Sequence, residues 1–163
     1  MRSINRFSYL QSWGEKRSQW LAASESLWEI AQLDIQLFIN PWSVAQWEEL
    51  LTTDQNYILG SLQRRGNIMA FALLLYNPWE ELGHLLKIFV HPEYRKKHIG
   101  IDLWQKVQKV SELQGAKRIY LEVEKSNHAA NSFYQKLGFV SLNEVSHFYG
   151  AGRCALTYHL ILN

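Results

Sequence analysis

The chain has 163 residues, a hydrophobic fraction of 47%, a charged fraction of 20% and a formal net charge of +2 at pH 7. Those values are those of a globular protein large enough for one real core, and they exclude the clustered basic excess of a nucleic-acid binder. The single cysteine, Cys154, can form neither an internal disulfide nor a cysteine-based zinc site. No apolar run is long enough to cross a bilayer, and MRSINRFSYL lacks the apolar centre of a signal peptide, so the expectation is one soluble cytoplasmic domain, residues 1–163, without a metal.

Residues 1–20 mix Arg2, Arg6, Lys16 and Arg17 with Phe7, Tyr9, Trp13 and Trp20, which suits either a first strand or an N-terminal arm. From Ser24, a good N-cap type, Leu27, Ile30, Ala31 and Ile35 recur at helical spacing. Asn40-Pro41 breaks that pattern, and Ser43 then caps a short helix from Val44 to Leu51. Two strands follow, Asn56–Leu62 and Ile68–Tyr76, joined by the turn signal Arg65-Gly66-Asn67. Leu85–Val90 is a third strand, closed by His91-Pro92.

Gly100–Leu113 carries Leu103, Val107 and Val110 on one stripe with Lys106 and Lys109 away from it, an amphipathic helix ended by Gly115. Ile119–Glu124 alternates strictly: Ile119, Leu121 and Val123 face one side, Tyr120, Glu122 and Glu124 the other. Asn127 caps a helix from His128 to Leu137, stopped by Gly138, and two more strands flank Gly150-Ala151-Gly152. The order predicts an α/β (α+β) fold, a mixed sheet with helices packed on it.

The basic run Arg95-Lys96-Lys97 stands just before the Gly100 helix. Most such loops are only solvated. A helix start, however, offers unpaired N–H groups and the positive end of the helix dipole, a natural place for phosphate.

VHPEYRKKHIGIDLW (Val90–Trp104) resembles the acetyl-CoA signature of the GNAT acetyltransferases, an apolar strand, V-x-P-x-[YF], then [QR]-x-x-G-x-[GA]. LEVEKSNHAANSFYQKLGF (Leu121–Phe139) resembles the closing segment of the same family. Within it, PWS at Pro41–Ser43 and LEVEKSN…FYQKLGF are similar to the RimI-like ribosomal-protein-alanine N-acetyltransferases. Departures are plain. His98 replaces the middle glycine of the loop signature, which implies altered or weaker cofactor docking. Phe148-Tyr149-Gly150 replaces a Tyr-Tyr-Pro loop, His147 stands where asparagine is usual, and an acidic pair is missing around Arg153-Cys154-Ala155.

The resemblance implies the GNAT fold, whose splayed central strands form the acetyl-CoA cleft. It implies acetyl-CoA as cosubstrate, held by the backbone of Ile88, Phe89 and Val90, by the loop and helix start Arg95, Lys96, Lys97, His98, Ile99, Gly100 and Ile101, and by Asn127 and Tyr134. Glu122 would be the general base through water and Tyr134 the general acid. Trp42, Phe148 and Tyr149 would wall the acceptor. The implied partner is a protein or peptide N-terminus, an N-terminal alanine of a ribosomal protein above all; no nucleic acid or membrane is implied. A lysine, another N-terminus or a small amine keeps the same chemistry with another acceptor. A coenzyme-A-binding module without turnover is a further alternative, against which the presence of both Glu122 and Tyr134 counts.

Overall fold

A computed structural model describes residues 6–11, 24–52 and 56–162, with side-chain surroundings for 27–50 and 56–162. The elements in chain order are β1 (Arg6–Gln11), α1 (Ser24–Leu37), α2 (Val44–Thr52), β2 (Asn56–Arg64), β3 (Asn67–Asn77) and β4 (Leu82–Val90). A short 3-10 turn (Pro92–Tyr94), α3 (Ile99–Leu113), β5 (Arg118–Glu124), α4 (His128–Lys136), β6 (Val140–Val145) and β7 (Ala155–Ile161) follow. The strands hydrogen-bond in the order β1-β2-β3-β4-β5-β7-β6. The GNAT arrangement expected from the sequence is therefore present as an open, mixed sheet with helices. Between the two expectations for the N-terminus, Arg6–Gln11 is a strand, antiparallel to β2 from Arg6↔Gln63 to Gln11↔Ile58; the rest of residues 1–20 lies outside the described residues.

The chain divides into two compact units, Met1–Leu73 with Lys87–Val107, and Leu74–Leu86 with Gln108–Asn163. In the first unit the α2 start is a capping box. Ser43 Oγ accepts from Gln46 N–H at 3.3 Å and Gln46 Oε1 accepts from Ser43 N–H at 2.9 Å, so two donors the helix cannot satisfy are paired reciprocally. The core of this unit is aromatic: Phe71 stacks on Phe89 with centroids 5.2 Å apart, and Trp47 meets Phe71 edge-on at 6.1 Å.

In the second unit β5 lies between a parallel and an antiparallel neighbour. The parallel ladder with β4 covers Leu82↔Arg118 to His84↔Tyr120, and β4 then runs six residues further, to Val90. The antiparallel ladder with β7 covers all of β5, Arg118↔Ile161 to Glu124↔Ala155. Burial alternates along β5 as its sequence requires, with Ile119, Leu121 and Val123 buried. α4 packs on that apolar face through Tyr134, whose ring lies 6.2 Å from Tyr158, while Asn131 Oδ1 accepts from the Tyr158 hydroxyl at 3.0 Å. A Cβ at Gly83 in β4 would come within 2.6 Å of Ile119 Cδ1, so a larger residue there would have to displace that side chain.

Candidate active site

In the first unit, β4 ends at Val90 and the chain turns at once into the basic loop. His91 N–H donates to Met69 O at 2.8 Å. Its ring Nδ1 accepts from Glu93 N–H, which starts the 3-10 turn. The cations of the loop are not equivalent. Arg95 Nε donates to Val90 O at 3.0 Å, which fixes the guanidinium stem and leaves both Nη groups for an anion. Lys97 Nζ donates to Glu93 O at 2.8 Å and lies over the Tyr94 ring, so it is folded back on its own turn. Lys96 and His98 are exposed and both adopt left-handed backbone, φ 57° and 61°. His98 thus occupies a conformation that glycine takes freely and an L side chain does not.

The first helical bond of α3 runs from Asp102 N–H to His98 O at 3.0 Å. The N–H groups of Ile99, Gly100 and Ile101 lie ahead of it, with no acceptor one turn back. Asp102 adds a carboxylate to that first turn but is paired with Lys106. The loop and helix start therefore fit a phosphate-bearing ligand: free backbone donors, the positive end of the α3 dipole and Arg95 converge within one short segment.

The same unit positions Trp42. Asp34, fully buried on α1, takes three donors. Its Oδ2 accepts from Trp42 N–H and from Trp47 Nε1–H, both at 2.9 Å, and its Oδ1 accepts from Lys87 Nζ at 2.8 Å. The Lys87 ammonium also lies over the rings of Phe38 and Trp42, at 4.5 and 4.9 Å. Burial pushes the Lys87 amine below its ordinary range, and the Asp34 carboxylate opposes that shift. Trp42 is half-buried against Trp47, ring centroids 5.0 Å apart. Sequence reasoning missed this knot. Its signal was a lysine on the buried parity of β4, between Leu85 and Phe89, with an aspartate on the apolar stripe of α1.

The second unit gathers the polar side of β5. Glu122 Oε2 lies 2.6 Å from His84 Nε2. Burial first, then the negative charge of Glu122, raises the Tyr120 phenol above its usual range. The Tyr149 hydroxyl donates to the Glu122 backbone carbonyl at 3.3 Å. The Tyr149 phenol is pushed up to about 12, by burial and then by Glu122 and Glu124, against the opposing Arg153. Phe148 packs edge-on against Tyr149 at 4.9 Å and is about half exposed.

Glu124, the other carboxylate on this face, is engaged elsewhere. Arg153 Nε and Nη2 fork onto its two oxygens, each at 2.7 Å, and that hydrogen-bonded guanidinium holds its carboxyl below the usual range. Of the two, Glu122 is the carboxylate that faces an imidazole rather than a guanidinium.

Tyr134 is buried beside Phe133, Phe139 and Tyr158. Burial, then the charge of Tyr149, raises its phenol well above the ordinary range, and among the described residues its hydroxyl makes no hydrogen bond. Asn127 caps α4, its Oδ1 accepting from Ala130 N–H at 3.1 Å. Asn131, not singled out in the sequence, clamps the strand-to-helix turn by donating to the carbonyls of Glu124, Lys125 and Asn127. His84 was also missed, because apolar patterning starts its strand only at Leu85; the β4–β5 register is what brings it to Glu122. Among the described residues there is no group of three or more His, Cys, Asp or Glu side chains that could hold a metal ion, and no helix long and apolar enough to cross a membrane.

The model of the acetyltransferase (GNAT) family matches residues 20–139, well over half of the chain, and the chain belongs to this family. It is thus an acetyltransferase by descent. Among its relatives, the chain is similar to N-alpha-acetyltransferase 30 of Schizosaccharomyces pombe, 28% identical over 77% of this chain and 81% of that protein. It is similar to the [ribosomal protein bS18]-alanine N-acetyltransferase of Escherichia coli K12, 32% identical over 61% of this chain and 64% of that one. To an N-alpha-acetyltransferase of Sulfurisphaera tokodaii it is 39% identical, over 45% of this chain and less than half, 44%, of that relative's length.

Two solved structures share the fold. One is the ribosomal-protein-S18-alanine N-acetyltransferase of Escherichia coli, with a TM-score of 0.81 at 22% identity over 98% of this chain and 95% of that one. The other is Arabidopsis thaliana NAA60 in complex with acetyl-CoA, with a TM-score of 0.75 at 15% identity over 97% and 99%.

Proposed function

We propose that this chain, working as one domain, transfers an acetyl group from acetyl-CoA to the N-terminal amine of a protein, with an alanine terminus of a ribosomal protein as the favoured acceptor. The observation that carries the reading is the contrast within the second unit. Glu122 presents a carboxylate on the polar face of β5, where Glu124 is neutralised by Arg153. Tyr134 presents a protonated, unpartnered hydroxyl from α4. The N-terminal acceptor is supported by relatives named for N-alpha-acetylation.

When bound, acetyl-CoA supplies the activated acetyl thioester. Arg95, Lys96 and the free N–H groups of Ile99, Gly100 and Ile101 hold its phosphates, with the exposed His98 flanking them and Lys97 bracing the turn. The backbone of Ile88, Phe89 and Val90 pairs with its extended arm as an added strand would, and a strand N–H receives the developing oxyanion. Asn127 keeps the α4 start in place beside the ligand.

A protein N-terminus has a pKa of about 7.7–8.0, so a fair share is already neutral near pH 7 and little base assistance is needed. Glu122 draws the remaining proton through a water. Tyr134, whose raised pKa keeps it protonated, gives its proton to the departing thiolate. Trp42, and separately Phe148 and Tyr149, are the aromatic side chains proposed to contact the acceptor.

The test is intact-mass analysis of peptides incubated with the protein and acetyl-CoA: an alanine-starting ribosomal-protein peptide, the same peptide with a blocked N-terminus, and a lysine-bearing control. One acetyl group on the free alanine terminus alone is the expected result. Acetylation of the lysine control alone, or of the blocked peptide, would overturn the N-terminal acceptor.

A further inference from the structure

His84 stands at the last rung of the parallel β4–β5 ladder, opposite Tyr120. Its ring meets the Tyr120 ring edge-on at 5.3 Å and its Nε2 lies 2.6 Å from Glu122 Oε2. An ionised carboxylate only accepts hydrogen bonds, so Nε2 carries the hydrogen of that contact. In the neutral ring Nδ1 then holds the lone pair, and among the described residues it makes no hydrogen bond. The His84 side chain is 34% exposed and that of Glu122 15%. The pair thus has an inner carboxylate and an outer imidazole with its basic nitrogen unoccupied.

From this geometry we infer that the base is the pair His84–Glu122, with His84 Nδ1 as the proton acceptor and Glu122 as the group that fixes its tautomer and offsets its charge. The inference rests on the acetyl-transfer reading and moves its proton one residue outward. The proton leaves the acceptor's ammonium, crosses one water and forms an N–H bond at Nδ1. The nitrogen's freed electron pair goes to the acetyl carbonyl carbon. As the C–S bond breaks the thiolate takes its proton from Tyr134, and the second proton of the attacking nitrogen passes through water to restore the Tyr134 phenol. The resulting imidazolium faces the Glu122 carboxylate, as the His of a nucleophile–His–carboxylate triad faces its acid.

The surroundings favour this division of labour. Glu122 Oε2 is already engaged by His84 Nε2, which places the imidazole between the carboxylate and solvent. Imidazole is the side chain most often used as a general base. The other titratable groups on this face are accounted for. Tyr120 meets the His84 ring edge-on, Tyr149 is bonded to the Glu122 carbonyl, Glu124 to Arg153 and Arg118 to the Glu80 carbonyl; His159 lies across β5 from His84, opposite Tyr120 on β7.

Two variants separate base from brace. In His84→Gln the side-chain amide keeps a donor near the Nε2 position, so Glu122 stays held, but no proton acceptor remains. In His84→Ala both are lost. With the full chain, acetyl-CoA and the alanine-starting peptide, turnover should fall on the order of 10²-fold in both variants. The acid limb of the wild-type rate profile should vanish, while acetyl-CoA affinity is unchanged. Activity restored in His84→Gln but not in His84→Ala would make His84 a brace only and overturn the inference, as would an unchanged acid limb.

Nitrogen chemical shifts of the His84 ring in the protein without acceptor give an independent readout. They should report one tautomer, hydrogen on Nε2, that becomes mixed in Glu122→Ala. A locked tautomer with no acetylation of any peptide by wild type would sink the acetyl-transfer reading and the proton role with it, leaving only the contact. A mixed tautomer in wild type with normal acetylation would sink the pair alone.

Discussion

His98 carries a cost that the loop signature normally avoids. Its φ of 61° lies where Cβ crowds the following carbonyl, at roughly 1–2 kcal/mol for a residue other than glycine. Its carbonyl closes the first bond of α3, so the strain sits at the helix start that the phosphates are proposed to use. His98→Gly should therefore raise the denaturation midpoint, by an amount worth about 1 kcal/mol, and tighten acetyl-CoA binding by calorimetry. A glycine variant that binds more weakly would mean the imidazole itself contributes to the ligand. Tyr134 is the opposite case, a residue whose worth should show only in turnover. Tyr134→Phe removes a hydroxyl without a hydrogen bond among the described residues, so folding and acetyl-CoA affinity should hold while kcat falls by about 10²-fold. An equal fall in affinity would mark the hydroxyl as a ligand contact.

At the scale of elements, most of the fold could be read from periodicity, and the exceptions have physical causes. The helix from Val44 was legible because Ser43 and Gln46 spell a capping box, and the β5 strand because its two faces differ so sharply. Leu82–His84 was not legible. Gly83 and His84 interrupt the apolar run, and what makes them strand is the parallel pairing of residues 82–84 with 118–120, a tertiary demand that local pattern does not carry. The consequence was to hide His84 at the point where it meets Glu122. Asp34–Lys87 was hidden for a related reason: two charges far apart in sequence are affordable inside only as a pair.

Between β5 and the β6–β7 connection, the Glu124–Arg153 fork makes a pH-dependent tie. The folded-state pKa of Glu124 lies below its ordinary value, so the folded chain binds fewer protons than the unfolded one in the interval between the two values. The contribution to stability is present above the ordinary carboxylate range and is lost as pH falls through the lowered value. Comparing denaturation midpoints of wild type and Arg153→Met from neutral pH downwards should show a gap that closes in that interval. A gap independent of pH would mean Arg153 acts by packing on Tyr149, over whose ring it lies.

For the whole molecule, the family match stops at residue 139, and β6, β7 and the connection between them lie beyond it. Yet β7 pairs with β5 along its full length, and Tyr149 reaches the Glu122 carbonyl from that connection. The strand that carries Glu122 is thus framed, on one side, by the segment that departs most from the pattern the chain resembles: His147, Gly150 and the missing acidic pair. Cofactor binding is proposed to rest on β4, the basic loop and the α3 start, within the matched stretch. The two halves of the function should then be separable by mutation. His147 adopts φ 59° and Gly150 φ 104°, and Tyr149 N–H donates to Arg153 O, so the 146–153 connection is a closed turn that can be exchanged as one piece. Replacing it with the corresponding turn of a family member of different acceptor preference should change the peptide KM by an order of magnitude or more. In the same variant, acetyl-CoA should protect the amides of Ile99–Leu103 from hydrogen exchange as fully as in wild type. Loss of that protection together with the peptide preference would show that the connection supports the fold of both sites rather than selecting the acceptor, and acceptor choice would then have to be sought around Trp42.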